Sequence, residues 1–181
     1  MTREEALAAL KGHLKNKNLF KHCLAEEAIL RALAQRLRED EHLWGLAGLL
    51  HDIDYEETEG DMERHTIVGA EILRKLGVDE RIVHATLAHN DKAPRESTLD
   101  KALFASDPLT GLIVAAALIT PEKKLSAIDT QFVLNRFKEK AFARGARRED
   151  ILTCSEIGLA LEEFVDIGLR AMQEISDELS L

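Results

Sequence analysis

The stretch LWGLAGLLHDID, residues 43–54, is apolar until it delivers a histidine and an aspartate side by side. Residues 41–51 are predicted to form a helix that is apolar on every side, and such a helix is normally buried. Burying an ionised carboxylate is costly unless it is paired or bound to a metal. Asp52, at the end of this helix, is therefore a candidate metal ligand, and its two oxygens could bridge two ions.

Residues elsewhere in the chain complete a series that reads H…HD…H…H…D. Their imidazoles and carboxylates offer nitrogen and oxygen donors that suit zinc, iron, manganese and related divalent ions. The six candidate metal ligands are His22, His51, Asp52, His65, His89 and Asp107.

The remaining histidines are weaker candidates. A single histidine is more often structural or exposed than a ligand, and His13 and His42 lie among surface-type residues near helix ends. His84 is five residues before His89, roughly 140° around a helix from it, so the two rings cannot easily face one centre. Asp107 also has a second interpretation, as the N-cap of a helix whose first residue is Pro108.

Helical periodicity continues through nearly the whole chain, and no segment alternates convincingly with the period of a strand. The pattern therefore predicts an all-α bundle. It predicts an acidic loop at residues 54–61, a helix break at Asp107-Pro108 and a new helical start at Thr120-Pro121. Helices are predicted at residues 2–14, 19–39, 41–51, 63–76, 79–89, 97–106 and 129–143, with one or two more between 150 and 181.

Composition indicates a soluble globular protein, with 45% hydrophobic and 31% charged residues among 181. The net charge of −9 argues against an extended nucleic-acid surface and against binding to an anionic membrane, but it allows a small phosphorylated substrate near a metal. Cys23 and Cys154 form no CxxC motif, which favours a reducing, cytoplasmic location. No long apolar segment resembles a secretion signal or a membrane span.

The ligand series resembles the HD superfamily of metal-dependent phosphohydrolases, and within it the HDIG-type single-domain proteins. The matching segments are His22, LLHDID at 49–54, HTIVGAEIL at 65–73, LAH at 87–89 and ASD at 105–107. The resemblance implies an HD-domain helical bundle with a metal site between helices. It implies one domain over residues 1–181, with a metal-binding core at about 18–120 and helices in 121–181 that complete the bundle.

The resemblance also implies how the ligands divide between one or two divalent ions, which could be Fe, Mn, Zn, Ni, Co or Mg. His22, His51, Asp52 and Asp107 would hold one ion. His65 and His89 would join a bridging Asp52 at a second. The chain departs from the HDIG motif because Asp54 stands in place of the glycine, and it has no downstream GYP motif.

The favoured function is hydrolysis of a nucleotide or another small phosphate ester by a metal-activated water. Asp52 and Asp54 are the candidate catalytic residues, although Asp54 could equally be a loop carboxylate that only adds charge. Lys92, Lys123 and Arg144 are the candidate substrate-binding cations, each weighed against a solvated surface charge.

Two alternatives use the same ligands. Some proteins of the HD fold are di-iron oxygenases with this ligand order, and a non-catalytic metal-binding or ligand-binding module is the other. The apolar segment at residues 157–161 is expected either to pack internally or to form a homodimer interface.

Overall fold

The computed structural model describes residues 1–59 and 61–181, and within these residues it is helical without any strand. This confirms the predicted all-α class. Gly60, part of the predicted acidic loop, lies outside the described residues. The helices are α1 (Arg3–His13), α2 (Lys17–Leu37), α3 (Glu41–Leu50), α4 (Tyr55–Thr58), α5 (Ile67–Lys75), α6 (Glu80–His89), α7 (Thr98–Leu118), α8 (Thr130–Lys138), α9 (Arg148–Ile151), α10 (Leu161–Glu174) and α11 (Ser176–Leu179). Short 3-10 turns occupy Leu125–Ala127 and Leu152–Ile157.

Helices α2 and α3 form the centre of the bundle. The Asp40 side chain accepts the Leu43 N–H and caps α3, which is buried from Leu43 to Leu50 as predicted. Gly48 permits a close approach, because a Cβ there would lie 2.6 Å from the Glu26 carbonyl oxygen on α2. This contact fixes the end of α3, and with it the His51-Asp52 pair, against the middle of α2.

Helix α7 passes through the core without the break predicted at Asp107-Pro108. Ser97 caps it in a reciprocal capping box with Asp100, and Pro108 lies inside the continuous helix. A proline in a helix interior costs about 3 kcal/mol or more, and burial of most of α7 offsets that cost. By length and composition α7 could cross a bilayer, but 61% of its apolar window is buried inside the bundle, as in a core helix.

The chain between α3 and α5 differs from the prediction. A short helix, α4, occupies part of the expected loop, and α5 begins at Ile67 rather than near residue 63. His65 therefore lies in a turn before α5 and not inside a helix. Thr66, the N-cap position of α5, has a φ of 69°, which is unusual for a β-branched residue.

After α7 one predicted helical start is wrong, and the helix predicted at 129–143 is present but ends earlier. Turns follow Thr120-Pro121, up to the 3-10 turn at Leu125–Ala127, and α8 ends at Lys138 rather than near 143. The guanidinium of Arg148 explains the second difference. It donates to six backbone carbonyls between Arg136 and Ala146 and so satisfies acceptors that a longer α8 would have used internally.

The C-terminal region closes the bundle with more, shorter elements than predicted. Helix α10 packs on α2 and α7, and a Cβ on its Gly168 would lie 2.8 Å from a Leu109 methyl group. Ile157 and Leu159 are buried within the chain, on either side of Gly158, which has a φ of 77°. The apolar segment 157–161 thus contributes to the internal core.

Candidate metal centre

The six predicted ligands converge on one site from five parts of the chain. His22 comes from the second turn of α2, and His51 and Asp52 follow α3 directly. His65 lies in the turn before α5, His89 ends α6, and Asp107 projects from the middle of α7. Helix ends and an irregular turn therefore supply ligands that regular helices alone would not aim at one point.

Asp52 occupies the middle of this cluster. Its Oδ1 lies 3.3 Å from His65 Nε2 and 3.4 Å from His89 Nε2. Its Oδ2 lies 3.5 Å from His51 Nε2 and 3.7 Å from His22 Nε2. Each carboxylate oxygen thus faces a different pair of imidazoles, which is the division that the family resemblance implies for a bridging ligand.

A second carboxylate, Asp107, closes the side formed by His22 and His51. Its Oδ1 lies 3.0 Å from His22 Nε2 and 3.8 Å from His51 Nε2, and the two imidazole nitrogens are 3.2 Å apart. Ligand atoms of these three residues lie within 4.8 Å of one another, and so do those of His51, Asp52 and His89. Bonds of about 2 Å to a metal place its ligand atoms at such separations.

The far nitrogens of the four imidazoles are anchored. His51 Nδ1 lies 2.7 Å from the Gly48 carbonyl, and His89 Nδ1 lies 2.7 Å from the Thr86 carbonyl. His22 Nδ1 is 2.9 Å from the Thr110 hydroxyl, and His65 Nδ1 is 3.1 Å from Asp54 Oδ1. In the neutral imidazoles, donation from Nδ1 to these acceptors would leave each Nε2 with a lone pair directed at the centre, as metal-binding histidines require.

An unsatisfied buried oxygen supports the same conclusion. Asp52 Oδ1 is buried and has no hydrogen-bond partner in the described part of the chain, despite its two imidazole neighbours. A buried carboxylate oxygen without a partner carries a large desolvation cost, which a bound cation would remove. The residues present therefore fit a divalent metal ion, held by imidazole nitrogens and carboxylate oxygens.

Without a metal ion, two of the ligand histidines hold an extra proton at neutral pH. Burial opposes protonation of His22, but the hydrogen bond to Asp107 and the nearby carboxylates raise its pKa to about 9. Burial opposes protonation of His65 too, and Asp52 and Asp54 raise its pKa to about 9. Burial lowers the pKa of His51 to about 4.

The pKa values of the two carboxylates at the centre, Asp52 and Asp107, are lowered. Burial works against their ionised forms, but the facing imidazoles outweigh it, and the pKa of Asp52 lies well below its usual value. The hydrogen bond from His22 likewise lowers the pKa of Asp107 despite burial. Asp107 is not the helix N-cap considered in the sequence analysis, because it lies inside α7, and His22 is the group that keeps it ionised.

Asp54 lies behind His65 rather than facing the cavity. Its Oδ2 accepts the backbone N–H groups of Thr66 and Gly69, both at 2.8 Å, while its Oδ1 faces His65. A Cβ at Gly69 would lie 3.1 Å from this carboxylate. Both oxygens are therefore engaged in holding the His65 turn, which fits a positioning residue better than the base expected from the sequence.

The three predicted substrate-binding cations do not gather over the centre. Lys92 is paired with Glu63 at 2.8 Å. Lys123 is exposed in the turns after α7 and lines neither of the two cavities described below at the metal centre. Arg144 lines a separate cavity beside α8. Lys123 and Arg144 are too far from the ligands in sequence for pattern alone to place them, and the pairing of Lys92 with Glu63 depends on the tertiary structure.

The cavity over the centre reveals residues that the sequence did not single out. A cavity of about 370 Å³ exposes five of the predicted ligands and is walled by Tyr55, Met62, Asn90 and Gly145. Tyr55 packs edge-on against His65 with ring centroids 5.1 Å apart. An adjoining cavity of about 270 Å³ includes Arg147 beside His22, His89 and Asp107. No motif marked these wall residues, because only the tertiary structure brings them together.

A buried carboxyl group behind the centre was also missed. Glu26 lies one turn beyond His22 on α2, and burial together with the Asp107 charge raises its pKa to about 8. The Ser106 hydroxyl is its hydrogen-bond partner. A glutamate on the apolar side of a buried helix was the available signal. As a neutral carboxylic acid, it adds no further negative charge behind Asp107.

Comparison with known proteins agrees with this geometry. The sequence model of the HD domain matches residues 19–129. The chain belongs to the HD domain family. HD domains bind divalent metals, in agreement with the donor set described above, and the matched range contains all six candidate ligands.

Curated relatives include proteins named Ribonuclease Y. The one from Oleidesulfovibrio alaskensis is 31% identical over 74% of this chain and 26% of its own length. The one from Sulfurovum sp. is 27% identical over 97% of this chain and 36% of its own length. An uncharacterised protein of Methanocaldococcus jannaschii is 42% identical over 45% of this chain and 50% of its own length. The chain thus spans between about a quarter and a half of these relatives, and no solved structure matches it significantly.

Proposed function

We propose that this HD-domain protein is a metal-dependent phosphohydrolase that acts on a nucleotide or another small phosphate ester. The observation that carries the proposal is the arrangement of Asp52, whose two buried oxygens each face a different pair of imidazole Nε2 atoms. The Ribonuclease Y relatives, whose name denotes a nucleic-acid hydrolase, support hydrolysis of a phosphate ester as the reaction class.

In this proposal the ligands are divided as the family resemblance implies. His22, His51, Asp52 and Asp107 would hold one divalent ion, and His65 and His89 would share Asp52 at a second. Divalent ions at such a centre lower the pKa of water towards neutrality and polarise phosphoryl oxygens.

The protein's own groups prepare the site. The Nδ1 anchors fix the imidazoles, and Asp54 sets the orientation of His65 through Oδ1 while holding its turn through Oδ2. Tyr55 and Met62 form part of the cavity wall beside the ligands. The cavity volume of about 370 Å³ is near the lower end of the range for small-molecule sites.

The test begins with the metal content of protein purified without chelator. The protein is then stripped and reloaded separately with Mn, Fe, Co, Ni, Zn or Mg. Phosphate release is measured on a panel of nucleotides, phosphate monoesters and short oligonucleotides. We expect at least one metal to restore phosphate release, and Asp52→Ala to abolish it.

The matched control is Asp177→Ala, which removes an exposed carboxylate on α11. It should retain wild-type metal content and activity. Absence of phosphate release with every metal, or oxygen uptake by iron-loaded protein without phosphate release, would contradict the hydrolase assignment.

A further inference from the structure

A basic segment, residues 138–148, lies directly after α8. It contains five cationic residues and a single carboxylate, Glu139, in a chain whose net charge is −9. It also lies outside residues 19–129, where the HD domain matches. Clustered positive charge on an acidic protein creates a local field that attracts anions. The five cations are Lys138, Lys140, Arg144, Arg147 and Arg148.

These cations line a cavity that adjoins the cavity beside the metal centre. Lys138, Lys140, Arg144 and Arg147 take part in its wall, and its volume is about 510 Å³. Arg147 also lines the 270 Å³ cavity that includes His22, His89 and Asp107. Ala146 and Arg147 are thus common to both cavities, and a ligand at the centre could extend past them into the basic cavity.

The side chains of this cavity are available to bind an anion. Among the described residues, Lys138, Lys140 and Arg144 have no ion-pair partner, and all three are exposed. Arg147 is paired with Asp150 at 3.2 Å and more loosely with Glu149 at 3.9 Å, and 62% of the Arg147 side chain is exposed. A guanidinium carries several N–H donors, so a phosphate group can bind the exposed side of Arg147 beside Asp150.

The backbone of the basic segment is held in place. Arg148 donates to the carbonyls of Phe142, Ala143 and Ala146 within the segment, at 2.6 to 2.8 Å. Ala143 has a φ of 44°, a conformation that this anchoring stabilises. Arg148 therefore acts as a structural cation that fixes the wall, while Lys138, Lys140 and Arg144 are left without an ion-pair partner among the described residues.

We propose that the basic segment binds the outlying phosphates of a substrate that carries several in succession, while one phosphate lies at the metal centre. This rests on the proposed phosphohydrolase function and narrows its substrate class to polyphosphorylated anions. A nucleoside triphosphate and a short oligonucleotide share this chemistry. The paired donors of Arg144 and Arg147 suit phosphate oxygens.

The test is calorimetric titration of the metal-loaded, full-length protein with orthophosphate, tripolyphosphate and a tetranucleotide. Excess magnesium is present throughout, so that the polyanions do not strip the centre. The variants Arg144→Ala and Arg147→Ala remove exposed side chains without disturbing the core. Lys75→Ala, which removes an exposed cation at the end of α5, is the matched control.

We expect tripolyphosphate or the tetranucleotide to bind at least about tenfold more tightly than orthophosphate, which corresponds to one further charge-assisted contact. Arg144→Ala should remove most of that gain and leave orthophosphate affinity unchanged, whereas Lys75→Ala should match the wild type. Preference for the tetranucleotide identifies an oligonucleotide as the source of the phosphates, and preference for tripolyphosphate a nucleoside triphosphate.

Equal affinity for all three anions, or an Arg144→Ala variant indistinguishable from Lys75→Ala, would overturn the inference. Binding requires no turnover, so the two proposals fail separately. Selective polyanion binding without phosphate release from any substrate contradicts only the hydrolase, and phosphate release without selective binding contradicts only the basic segment.

Discussion

At the scale of single residues, the centre depends on one carboxylate whose two oxygens face different imidazoles. Asp52 Oδ1 faces His65 and His89, while Oδ2 faces His22 and His51. Removing this carboxylate therefore affects both halves of the site, whereas removing a single imidazole affects one half.

We predict that Asp52→Ala loses both metal ions and that His89→Ala loses only the ion on its own side. The physical reason is that Asp52 is shared by the two ligand groups and His89 is not. Metal content measured by mass spectrometry after dialysis checks this. Wild-type occupancy in Asp52→Ala would show that this carboxylate is not the bridge.

Asp54→Asn is predicted to keep the fold and weaken metal binding on the His65 side by about 10- to 100-fold. The amide oxygen can still accept the Thr66 and Gly69 N–H groups. The amide NH₂ then faces His65 Nδ1 and drives the imidazole proton to Nε2, where it blocks coordination. Metal titration followed by calorimetry gives the affinity. Equal affinities for the variant and wild type would mean that Asp54 does not set the tautomer.

At the scale of elements, the distance between α2 and α3 positions the ligands. Gly48 faces the Glu26 carbonyl at a separation that admits no Cβ. His51 follows three residues later, and its Nδ1 is hydrogen-bonded to the carbonyl oxygen of Gly48. The backbone contact of the two helices and the orientation of a ligand are thus parts of one local arrangement.

We predict that Gly48→Ala lowers the free energy of unfolding by at least about 2 kcal/mol, because the added methyl group meets backbone rather than a flexible side chain. The control is Gly12→Ala in α1, where a Cβ meets nothing within 4 Å. It should raise stability by about 0.5–1 kcal/mol through helix propensity. Urea unfolding of both variants measures the difference. A harmless Gly48→Ala would show that α2 and α3 can separate without cost.

At the scale of the whole molecule, protons and metal ions compete for the same buried site. In the folded metal-free protein the pKa is about 9 for His22 and His65 and about 8 for Glu26. Their ordinary values are 6.5 for histidine and 4.5 for glutamate. All three groups therefore stabilise the metal-free fold at lower pH, and that contribution is lost as pH rises through the folded-state values.

We predict that the metal-free protein loses stability between about pH 6.5 and pH 9, by at least ~1 kcal/mol. His51 has the opposite effect on stability below pH 6.5. Its pKa is about 4 in the folded state and 6.5 ordinarily, so the unfolded chain takes up this proton first and stability falls as pH falls. Chemical denaturation across this range measures the dependence. Stability that rises steadily from pH 6.5 to 9 in the metal-free protein would contradict the protonated His22 and His65.

Metal affinity should show the complementary dependence. Ligand histidines must be neutral, so binding below pH 9 should release protons from His22 and His65, and affinity should increase with pH. Calorimetry in buffers of different ionisation enthalpy counts the released protons. We expect between one and two at pH 7.5, and a value of zero would show that both imidazoles are already neutral.

The sequence by itself determined the helical class, the buried helix that ends in His51-Asp52 and the set of six residues that meet at the centre. Periodicity and residue chemistry are local properties, and they predict the helices. The order and spacing of the few histidines predict the ligand set. The sequence failed where packing outweighed local preference, as at Pro108, which burial keeps inside α7, and at residues 139–143, where Arg148 replaces helical hydrogen bonds.

Only the tertiary structure decided which cations lie near the centre and what Asp54 does. Arg147 is far from the ligands in sequence but lines a cavity with His22, His89 and Asp107. The Arg148 guanidinium binds backbone carbonyls and so holds the segment that carries Arg147. The sequence allows a catalytic role for Asp54. In the structure its two oxygens accept hydrogen bonds from Thr66, Gly69 and His65 instead. Side-chain partners separated by long stretches of chain depend on how helices pack, and no local pattern records that packing.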